Sequence, residues 1–456
     1  MAAELTRRPD RSGRRKPDRA RRLAFDALRK VNGEGAYANL VLADLLAERG
    51  LVARDAAFAT ELVAGTCRLQ GTYDAIIAVA AGRTLASLQP AVLDLLRLGS
   101  HQVLALRVPP HAAVAAMVDL AAATVGERVT GLTNAVLRRV AAHDLAGWLD
   151  LLTEDLPALD ALALRTAHPR WVVDAFADVL PADELAPALG ADNVNPGVTL
   201  AVRPGLAGVD ALVAAGAEPG RYSPFAACWT GSPGAVPEVR DGRAGVQDEG
   251  SQLVAWALAR AAAPLGPWLD LCAGPGGKAA LLAGLLGTGD GPVVAVEPSA
   301  HRTALVAAGL RAYPAGRAVV VQADGTRPAW RPGRFARVLA DVPCTGLGAL
   351  RRRPESRWRR TAEAVEQLHP LQCALLGAAL DAAAPGGVVA YVTCSPHRRE
   401  TVDVVRDTLT DRDDVTVLPA SELLPEVPDA ALGDFLQLWP HRHGTDAMFA
   451  AYLRVG

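Results

Sequence analysis

Apolar residues recur at intervals of three and four along the first third of the chain. Segments such as LAFDALRKV and ANLVLADLLAERG have this spacing, which is typical of helices that bury one face. Gly50 and Gly82 stand where two helices are expected to end, and Pro90 and Pro110 stand where helices are expected to begin or break. The pattern predicts an all-helical domain over residues 22–143.

Beyond residue 240 the pattern changes to short apolar runs that alternate with helical segments. The runs include WLDL, VVAVE, AVVVQ, RVLAD and VVAYVT, which are rich in β-branched residues. This alternation is typical of a mostly parallel sheet covered by helices, and we expect an α/β domain over residues 241–456. Residues 144–240 are first helical and then rich in glycine and proline, which predicts a helical linker and a small α+β module.

The composition limits the class of protein. With 456 residues, half of them hydrophobic, the chain is long enough for two or three domains with their own cores. The net charge is −2, so any surface for nucleic acid has to be local. The sequence has neither an apolar stretch long enough to span a bilayer nor the apolar core of a signal peptide. We therefore expect a cytoplasmic protein with no membrane partner.

Two further features concern the N-terminus and the cysteines. Residues 1–21 carry many arginines among proline, glycine and serine and few apolar residues, which predicts a disordered basic arm that either solubilises the protein or contacts phosphates. The six cysteines are scattered without a CxxC pair, which argues against a disulfide scaffold or a zinc knuckle. His441 and His443 lack further ligands in sequence, so no metal site is expected.

A glycine-rich loop follows the first strand of the α/β domain, in LDLCAGPGGKAALLAG. Gly274, Gly276 and Gly277 allow a tight turn into a helix whose N–H groups favour an anionic group. Glu297 and Asp324 end the next two strands, where acceptors for a ribose and an adenine amino group are expected. Three such strand ends predict a nucleoside-cofactor site, although a glycine loop alone also serves packing and a dehydrogenase shares these features.

Two cysteines follow later strands of the same sheet. Cys344 lies in DVPCTG and Cys394 in VTCSP, so both are expected at the edge that carries the cofactor loop. A free cysteine is usually a small buried hydrophobe, but these two stand in polar loops. A thiol beside a nucleoside cofactor suits methylation of carbon 5 of a pyrimidine, because a thiolate that adds to C6 makes C5 nucleophilic. The side chains of residues 397–399 are candidates for the positive charge that would favour the thiolate.

Four motifs carry a family resemblance. The segments QDEGSQ (247–252), DLCAGPGGK (270–278), DVPCTGLGALRRRPE (341–355) and VTCSP (392–396) resemble, in this order, the Sun/Nop2-type RNA cytosine-5 methyltransferases. The segments LLRLGSHQVLALRVPPHAAV and GLTNAVLRRV resemble a NusB-type RNA-binding domain. The resemblance implies an N-terminal all-α NusB-like domain, a small α+β module and a C-terminal Rossmann-like methyltransferase domain. It further implies S-adenosylmethionine as cofactor, 16S ribosomal RNA as partner and a monomeric enzyme.

The resemblance also assigns residue roles. Cys394 is expected to be the nucleophile and Cys344 to help release the product. The residues expected to hold S-adenosylmethionine are Cys272, Ala273, Gly274, Pro275, Gly276, Gly277, Lys278, Glu297, Arg302, Asp324 and Asp341, of which Asp341 would touch the cofactor or the target base. The chain departs from the family in having Glu297 where relatives often have Asp. It also has Asp446-Ala447-Met448-Phe449 in place of Asp-Gly-Phe-Phe.

Alternatives remain open at this point. DNA cytosine-5 methyltransferases use the cysteine of a Pro-Cys motif, and by that logic Cys344 would attack. In a second alternative, the substrate is tRNA or another RNA. In a third, the protein is a non-catalytic RNA-binding or antitermination factor. The arginine-rich stretch at residues 351–360, which contains Trp358, either grips phosphates around a target base or forms a solvated helix face.

Overall fold

The structure is a computed structural model that describes residues 17–106 and 108–456. Most of the expected basic arm therefore lies outside the described residues. Its last residues are helical, because the first helix begins at Arg19 and the Asp18 side chain accepts a hydrogen bond from the backbone N–H of Arg21. The expectation of disorder up to residue 21 is wrong for these last residues.

The described residues form 21 α-helices. They are α1 (Arg19–Glu34), α2 (Ala38–Arg49), α3 (Ala53–Arg68), α4 (Gln70–Ala81), α5 (Pro90–Leu104), α6 (Pro110–Thr124), α7 (Thr130–Val140), α8 (Leu145–Thr153), α9 (Ala158–Thr166), α10 (Arg170–Ala177), α11 (Ala182–Ala191), α12 (Val209–Ala214), α13 (Pro237–Arg240), α14 (Glu249–Arg260), α15 (Gly277–Leu285), α16 (Ala300–Leu310), α17 (Ser356–Arg359), α18 (Ala362–Ala382), α19 (Val402–Leu409), α20 (Ala420–Leu423) and α21 (Pro440–His443).

The same part of the chain forms 13 β-strands. They are β1 (Val198–Val202), β2 (Glu218–Pro219), β3 (Ala226–Trp229), β4 (Ala244–Val246), β5 (Trp268–Asp270), β6 (Val293–Val296), β7 (Ala318–Val321), β8 (Phe335–Asp341), β9 (Ala383–Thr393), β10 (Val415–Leu418), β11 (Ala431–Leu432), β12 (Phe435–Gln437) and β13 (Phe449–Val455).

The chain divides into two compact units. Unit 1 runs to Asp174 and includes Arg353–Arg359, and unit 2 comprises Ala175–Arg352 with Arg360–Gly456. The division differs from the expected boundaries at 143 and 240. Unit 1 includes α8 and α9, and it takes in a short segment that follows the Cys344 loop in sequence.

Unit 1 is helical, as the periodicity predicts. Buried residues of α1 to α7 form one core, which Trp148 of α8 also joins. Gly50 and Gly82 follow α2 and α4 with φ of 55° and 63°, a left-handed conformation that glycine adopts without strain. Pro90 and Pro110 each occupy the first turn of a helix, where the missing N–H costs nothing.

The segment Arg353–Arg359 is built into unit 1. The indole N–H of Trp358 donates to the Cys67 carbonyl at 2.7 Å, and its ring leaves no space for a Cβ at Gly71, which would lie 2.2 Å away. The buried Arg357 donates to the Ala167 carbonyl at 3.0 Å, and Arg359 donates to three backbone carbonyls near α1. The alternative in which the arginine-rich stretch binds phosphates is wrong for Arg357 and Arg359, because their guanidinium groups donate to backbone carbonyls at helix ends and loops.

Unit 2 contains a small antiparallel sheet with the strand order β2-β3-β1-β4. Its own core includes Leu200, Val202, Leu212 and Ala227. Short strands were expected in this region, but β4 pairs with β1 beyond residue 240. The small module therefore extends to Val246, where the chain enters α14.

The main sheet of unit 2 has nine strands among the described residues. The order is β11-β12-β13-β9-β8-β5-β6-β7, with β10 beside β13. Strands β7, β6, β5, β8 and β9 run parallel, whereas β13 is antiparallel to β9. The predicted mostly parallel sheet is confirmed, including the closing strand at the C-terminus.

Helices cover both faces of the main sheet. Along β9 the side chains of Val388 and Ala390 join one core with α14 and α15, while Val389 and Tyr391 join the other with α18 and α19. This alternation follows from the two-residue period of a strand. It explains why the sequence of β9 reads as a continuous apolar run rather than an alternating one.

The carboxyl ends of the five parallel strands share one edge. The strand order reverses there, because the chain proceeds from β5 outward to β6 and β7 and then returns to β8 on the other side of β5. Ligands of open parallel sheets bind at such a reversal, between the loops that follow the two central strands. Among the described residues no helix combines the length and apolar character needed to cross a membrane.

Candidate active site

The loop after β5 approaches its neighbours through backbone alone. A Cβ on Gly274 would lie 2.2 Å from Oε2 of Glu297, and Gly276 has a φ of 110°, which disfavours any other residue. The helix α15 begins at Gly277. The predicted glycine loop therefore forms a narrow turn at the reversal of strand order.

Glu297 follows β6 and is 3% exposed. Its Oε1 accepts a hydrogen bond from the Ser299 N–H at 3.0 Å, and its Oε2 lies 3.5 Å from Nε of Arg302. Arg302 also donates to the Gly274 carbonyl. Glu297, Arg302 and the glycine loop thus form one connected group.

Asp324 lies at the same edge, after β7. It is exposed, and its Oδ1 accepts hydrogen bonds from the backbone N–H of Thr326 at 2.9 Å and from the Thr326 hydroxyl at 2.8 Å. The backbone bond and then the hydroxyl bond lower the pKa of Asp324, so the group is an anionic acceptor near neutral pH. Its other carboxylate oxygen is available to a ligand.

Asp270 ends β5 and was not singled out as a separate site residue from the sequence. It is 1% exposed, and burial, followed by the charge of Asp341, raises its pKa to about 7. Burial likewise raises the pKa of the Cys272 thiol, which keeps that side chain neutral. A carboxyl group that titrates near pH 7 beside a cofactor loop is typical of functional sites.

Lys278 and Asp341 form an ion pair beneath the loop. The ammonium Nζ lies 2.8 Å from Oδ2 of Asp341, and both side chains are largely buried. Burial alone would lower the pKa of Lys278, but the charge and hydrogen bond of Asp341 outweigh it and raise the pKa. The charge of Cys394 is the next contributor that raises the pKa of Lys278, so this side chain stays cationic.

Cys344 and Cys394 meet at the edge of the sheet. Their sulfur atoms are 3.5 Å apart, and both side chains are partly buried. The hydrogen bond with Cys394, then burial and the charge of Cys394, raise the pKa of Cys344 well above its usual value. The raised pKa keeps the Cys344 thiol neutral, so it can donate a hydrogen bond to the Cys394 sulfur.

The residues that follow Cys394 do not supply the positive charge that was expected near its thiol. Arg399 lies 3.2 Å from Glu366 and 3.1 Å from Asp407, and Arg398 lies 3.4 Å from Asp403. Burial lowers the pKa of His397, which favours the neutral ring. Lys278, which was expected only to hold the cofactor, is the cation that interacts electrostatically with Cys394.

Arg351 and Arg352 pair with Asp248 and Asp446 inside unit 2. Arg351 contacts Asp446 at 2.7 Å and Asp248 at 3.1 Å, and Arg352 contacts the same carboxylates at 3.0 and 2.7 Å. Burial and the charge of Asp248 raise the pKa of Asp446 to about 6, although the arginines oppose this rise. These two arginines thus join the QDEGSQ motif to the late motif, Asp446-Ala447-Met448-Phe449. Because their guanidinium groups are already paired with carboxylates, the hypothesis that they bind phosphates is wrong for them.

The late motif departs from the family pattern at Ala447 and Met448, yet both residues make backbone hydrogen bonds to neighbouring segments. The Ala447 N–H donates to the Gly348 carbonyl at 2.9 Å, and the Met448 carbonyl accepts from the Leu438 N–H at 2.8 Å. Both contacts are made by the backbone. Replacement of Gly-Phe by Ala447-Met448 therefore leaves this connection in place.

The structure brings together the predicted site residues from Cys272 to Lys278, Glu297, Arg302, Asp341, Cys344 and Cys394, with Asp324 at the same sheet edge. Across residues 17–106 and 108–456, no group of three or more metal-ligating side chains is close enough to hold a metal ion. The arrangement offers an acidic, glycine-lined cradle beside a pair of thiols.

The chain is similar to known proteins over almost its whole length. Residues 258–454 match the family described as 16S rRNA methyltransferase RsmB/F, and residues 18–142 match the NusB family. A Mycobacterium tuberculosis protein named as a methyltransferase is 51% identical over 454 residues, which cover 97% of this chain and 98% of that protein.

Two further likenesses extend the comparison. The ribosomal RNA small subunit methyltransferase B of Salmonella paratyphi B is 30% identical over 431 residues, covering 92% of this chain and 93% of that protein. The crystal structure of PH0851 has a TM-score of 0.79 at 21% identity and covers 95% of this chain and 98% of its own, which is a likeness of fold. The predicted fold class, a NusB-like helical domain followed by a Rossmann-like methyltransferase domain, is confirmed.

The raised pKa of Asp270 predicts a pH-dependent stability. Between about pH 4 and pH 7 the folded chain keeps a proton that the unfolded chain has lost, so this group's contribution to the free energy of unfolding falls as pH rises. The difference between about 7 and the ordinary value of 3.8 corresponds to roughly 4 kcal/mol.

Urea unfolding of the wild type and of Asp270→Asn from pH 4.5 to 7.5 tests this. The wild-type free energy of unfolding should fall relative to that of the variant by roughly 3 kcal/mol over this pH range, because Asn does not ionise. The control is Asp413→Asn, at an exposed position. Its free energy of unfolding should change with pH as that of the wild type does. A constant difference between wild type and Asp270→Asn would contradict the raised pKa.

Proposed function

The chain belongs to the 16S rRNA methyltransferase RsmB/F family, and from that premise we propose that it methylates carbon 5 of a cytosine in 16S ribosomal RNA. The methyl donor is S-adenosylmethionine, and the reaction proceeds through a covalent bond between Cys394 and C6 of the base. The observation that carries the proposal is the 3.5 Å contact between two thiols beside the glycine loop.

The residues of the loop fit S-adenosylmethionine. The glycine turn at Gly274 leaves room where a side chain would collide with Glu297, and the N-terminus of α15 points the first N–H groups of a helix into the loop. Glu297 would hold the ribose hydroxyls and Asp324 the adenine amino group. When bound, this cofactor supplies a methyl group attached to a sulfonium, which is the electrophile of the reaction.

Cys394 is suited to the attack. Its sulfur lies 3.5 Å from the Cys344 sulfur, and the Lys278 ammonium, whose pKa Cys394 helps to raise, supplies positive charge in its surroundings. The thiolate forms a bond to C6 of the cytosine, and the electron pair of the C5–C6 double bond becomes available at C5. Asp341, whose carboxylate the Lys278 ammonium contacts at 2.8 Å, would hydrogen-bond the base.

Cys344 is suited to the release step. Once Cys394 is bonded to C6, its sulfur no longer carries the charge that raises the pKa of Cys344, so the Cys344 thiol can lose its proton to solvent. The Cys344 thiolate then takes the proton from the methylated C5. The C5–C6 double bond re-forms, the bond from C6 to sulfur breaks, and Cys394 leaves as a thiolate.

The protonation of the pair weighs against the assignment used by DNA methyltransferases. In that assignment Cys344 would attack, but Cys344 is the thiol whose pKa is raised by its neighbour. A non-catalytic role is disfavoured because the cofactor loop, the Lys278–Asp341 pair and both thiols are all present. Another RNA remains the second candidate substrate, and the rRNA names of relatives favour 16S.

Cofactor binding should depend on the space at Gly274. We expect Gly274→Ala to weaken S-adenosylmethionine at least tenfold, about 1.4 kcal/mol, because the added Cβ would displace Glu297. Isothermal titration calorimetry measures the affinity. The matched control is Gly377→Ala in α18, where a Cβ meets nothing within 4 Å. Unchanged affinity of Gly274→Ala would exclude the loop as the cofactor site.

The two cysteines should fail at different steps. Cys394→Ala should lose methylation of RNA by at least 10³-fold, because no other group replaces the nucleophile. Cys344→Ala should form a protein–RNA adduct that survives denaturing electrophoresis, because release is blocked. Tritium-labelled S-adenosylmethionine reports transfer in both cases. An active Cys394→Ala together with an inactive, adduct-free Cys344→Ala would reverse the assignment.

The substrate can be identified in cells. 16S rRNA from a strain that lacks this gene should lose 5-methylcytosine at a single position, and bisulfite sequencing detects the loss. The wild-type gene should restore it and the Cys394→Ala gene should not. Loss confined to tRNA would favour the second candidate substrate, and no loss in any RNA would contradict the proposal.

A further inference from the structure

Glu400 is a buried carboxylate six residues beyond Cys394. It is 0% exposed and ends the 3₁₀ turn Arg398–Glu400. In the part of the chain that the structure describes, no ion pair involves Glu400, so its carboxyl oxygens are met by hydrogen-bond donors alone. A buried carboxylate costs several kcal/mol unless donors satisfy it, so such an arrangement needs a reason.

The donors all belong to the Cys344 loop or to its support. The Thr345 N–H donates to Oε1 at 2.7 Å, and the Thr345 hydroxyl donates to Oε2. Nε2 of Gln372 donates to Oε1 of Glu400 at 3.2 Å and to the Pro343 carbonyl at 3.0 Å. The residues on both sides of Cys344 are therefore held by this one carboxylate, directly on one side and through Gln372 on the other.

Glu400 is itself fixed to the strand that leads to Cys394. The hydroxyl of Tyr391, in β9, donates to the Glu400 carbonyl at 2.7 Å. The two loops are joined again where the Gly348 N–H donates to the Cys394 carbonyl at 2.8 Å. Glu400 thus ties the peptide that carries Cys344 to the peptide that carries Cys394.

We propose that Glu400 is a positioning residue that holds the Cys344 thiol against Cys394 and thereby sets the rate of product release. The inference rests on the proposed function, because it assigns a residue to one step of that reaction. The side chain of Glu400 does not contact Cys394 itself, so we expect its loss to affect attack on C6 less than release. Release needs Cys344 in place, and the side chain of Glu400 acts only on the Cys344 loop and its support.

Glu400→Gln and Thr345→Val test the inference on the full-length protein with 16S rRNA transcribed in vitro. Gln has the volume of Glu but only one oxygen, so one Thr345 donor loses its acceptor. Val has the shape of Thr without the hydroxyl. In both variants the adduct should form within threefold of the wild-type rate, while its release should slow at least tenfold and adduct should accumulate. Rapid quenching and denaturing electrophoresis measure the two rates.

Two controls separate positioning from folding. Thr345→Ser, unlike Thr345→Val, retains the hydroxyl and should release the product at the wild-type rate. Glu366→Gln makes the same chemical change at an exposed partner of Arg399 and should leave both rates unchanged. A midpoint of thermal unfolding near the wild-type value would accompany the slow release of Glu400→Gln.

The outcomes distinguish this inference from the proposed function. If neither wild type nor Cys344→Ala forms an adduct, the proposed function fails. If Cys344→Ala traps the adduct while Glu400→Gln and Thr345→Val release it at the wild-type rate, only the role of Glu400 is overturned. Equal slowing of adduct formation and release, together with a lower unfolding midpoint, would also overturn it, because Glu400 would then support the fold rather than one step.

Discussion

In the main sheet β8 and β9 pair in parallel with Asp341 opposite Val392, so the loops after these strands leave the sheet side by side. That register brings the sulfur atoms of Cys344 and Cys394 within 3.5 Å, although 50 residues separate them along the chain. Gly348 allows the loops to meet, since a Cβ there would lie 2.9 Å from the Cys394 carbonyl oxygen. The chemistry of the site depends on this pairing, because the hydrogen bond with Cys394 is the largest cause that raises the pKa of Cys344.

Charge at the site is balanced mainly inside unit 2. Lys278 is paired with Asp341, and Arg351 and Arg352 share the carboxylates of Asp248 and Asp446. Buried charges of this kind need partners, since an isolated one would neutralise or destabilise the fold. The ion pairs therefore hold the motif loops at defined positions relative to the thiols, which a site that assembles a covalent bond requires.

Much of the fold could be predicted from periodicity, because the spacing of apolar residues along one segment reflects which face is buried. The helices of unit 1, the strand ends at Glu297 and Asp324 and the two cysteine loops follow from such local patterns. The partners of the side chains in the arginine-rich stretch, residues 351–360, could not be predicted in this way. Arg351 and Arg357 occur close together in sequence, yet the first pairs with buried carboxylates and the second donates to a helix-end carbonyl. Nothing local distinguishes them from solvated residues.

The sequence by itself determined which chemical groups follow each strand, because strands and glycine turns form according to local residue types. Only the tertiary structure decided which thiol keeps its proton, which cation faces Cys394 and which carboxylate holds the Cys344 loop. These properties arise from burial and from charges that are remote in sequence, such as Lys278 and Glu400. A pKa or a hydrogen bond is a property of the assembled surroundings, so it exists only once the chain has folded.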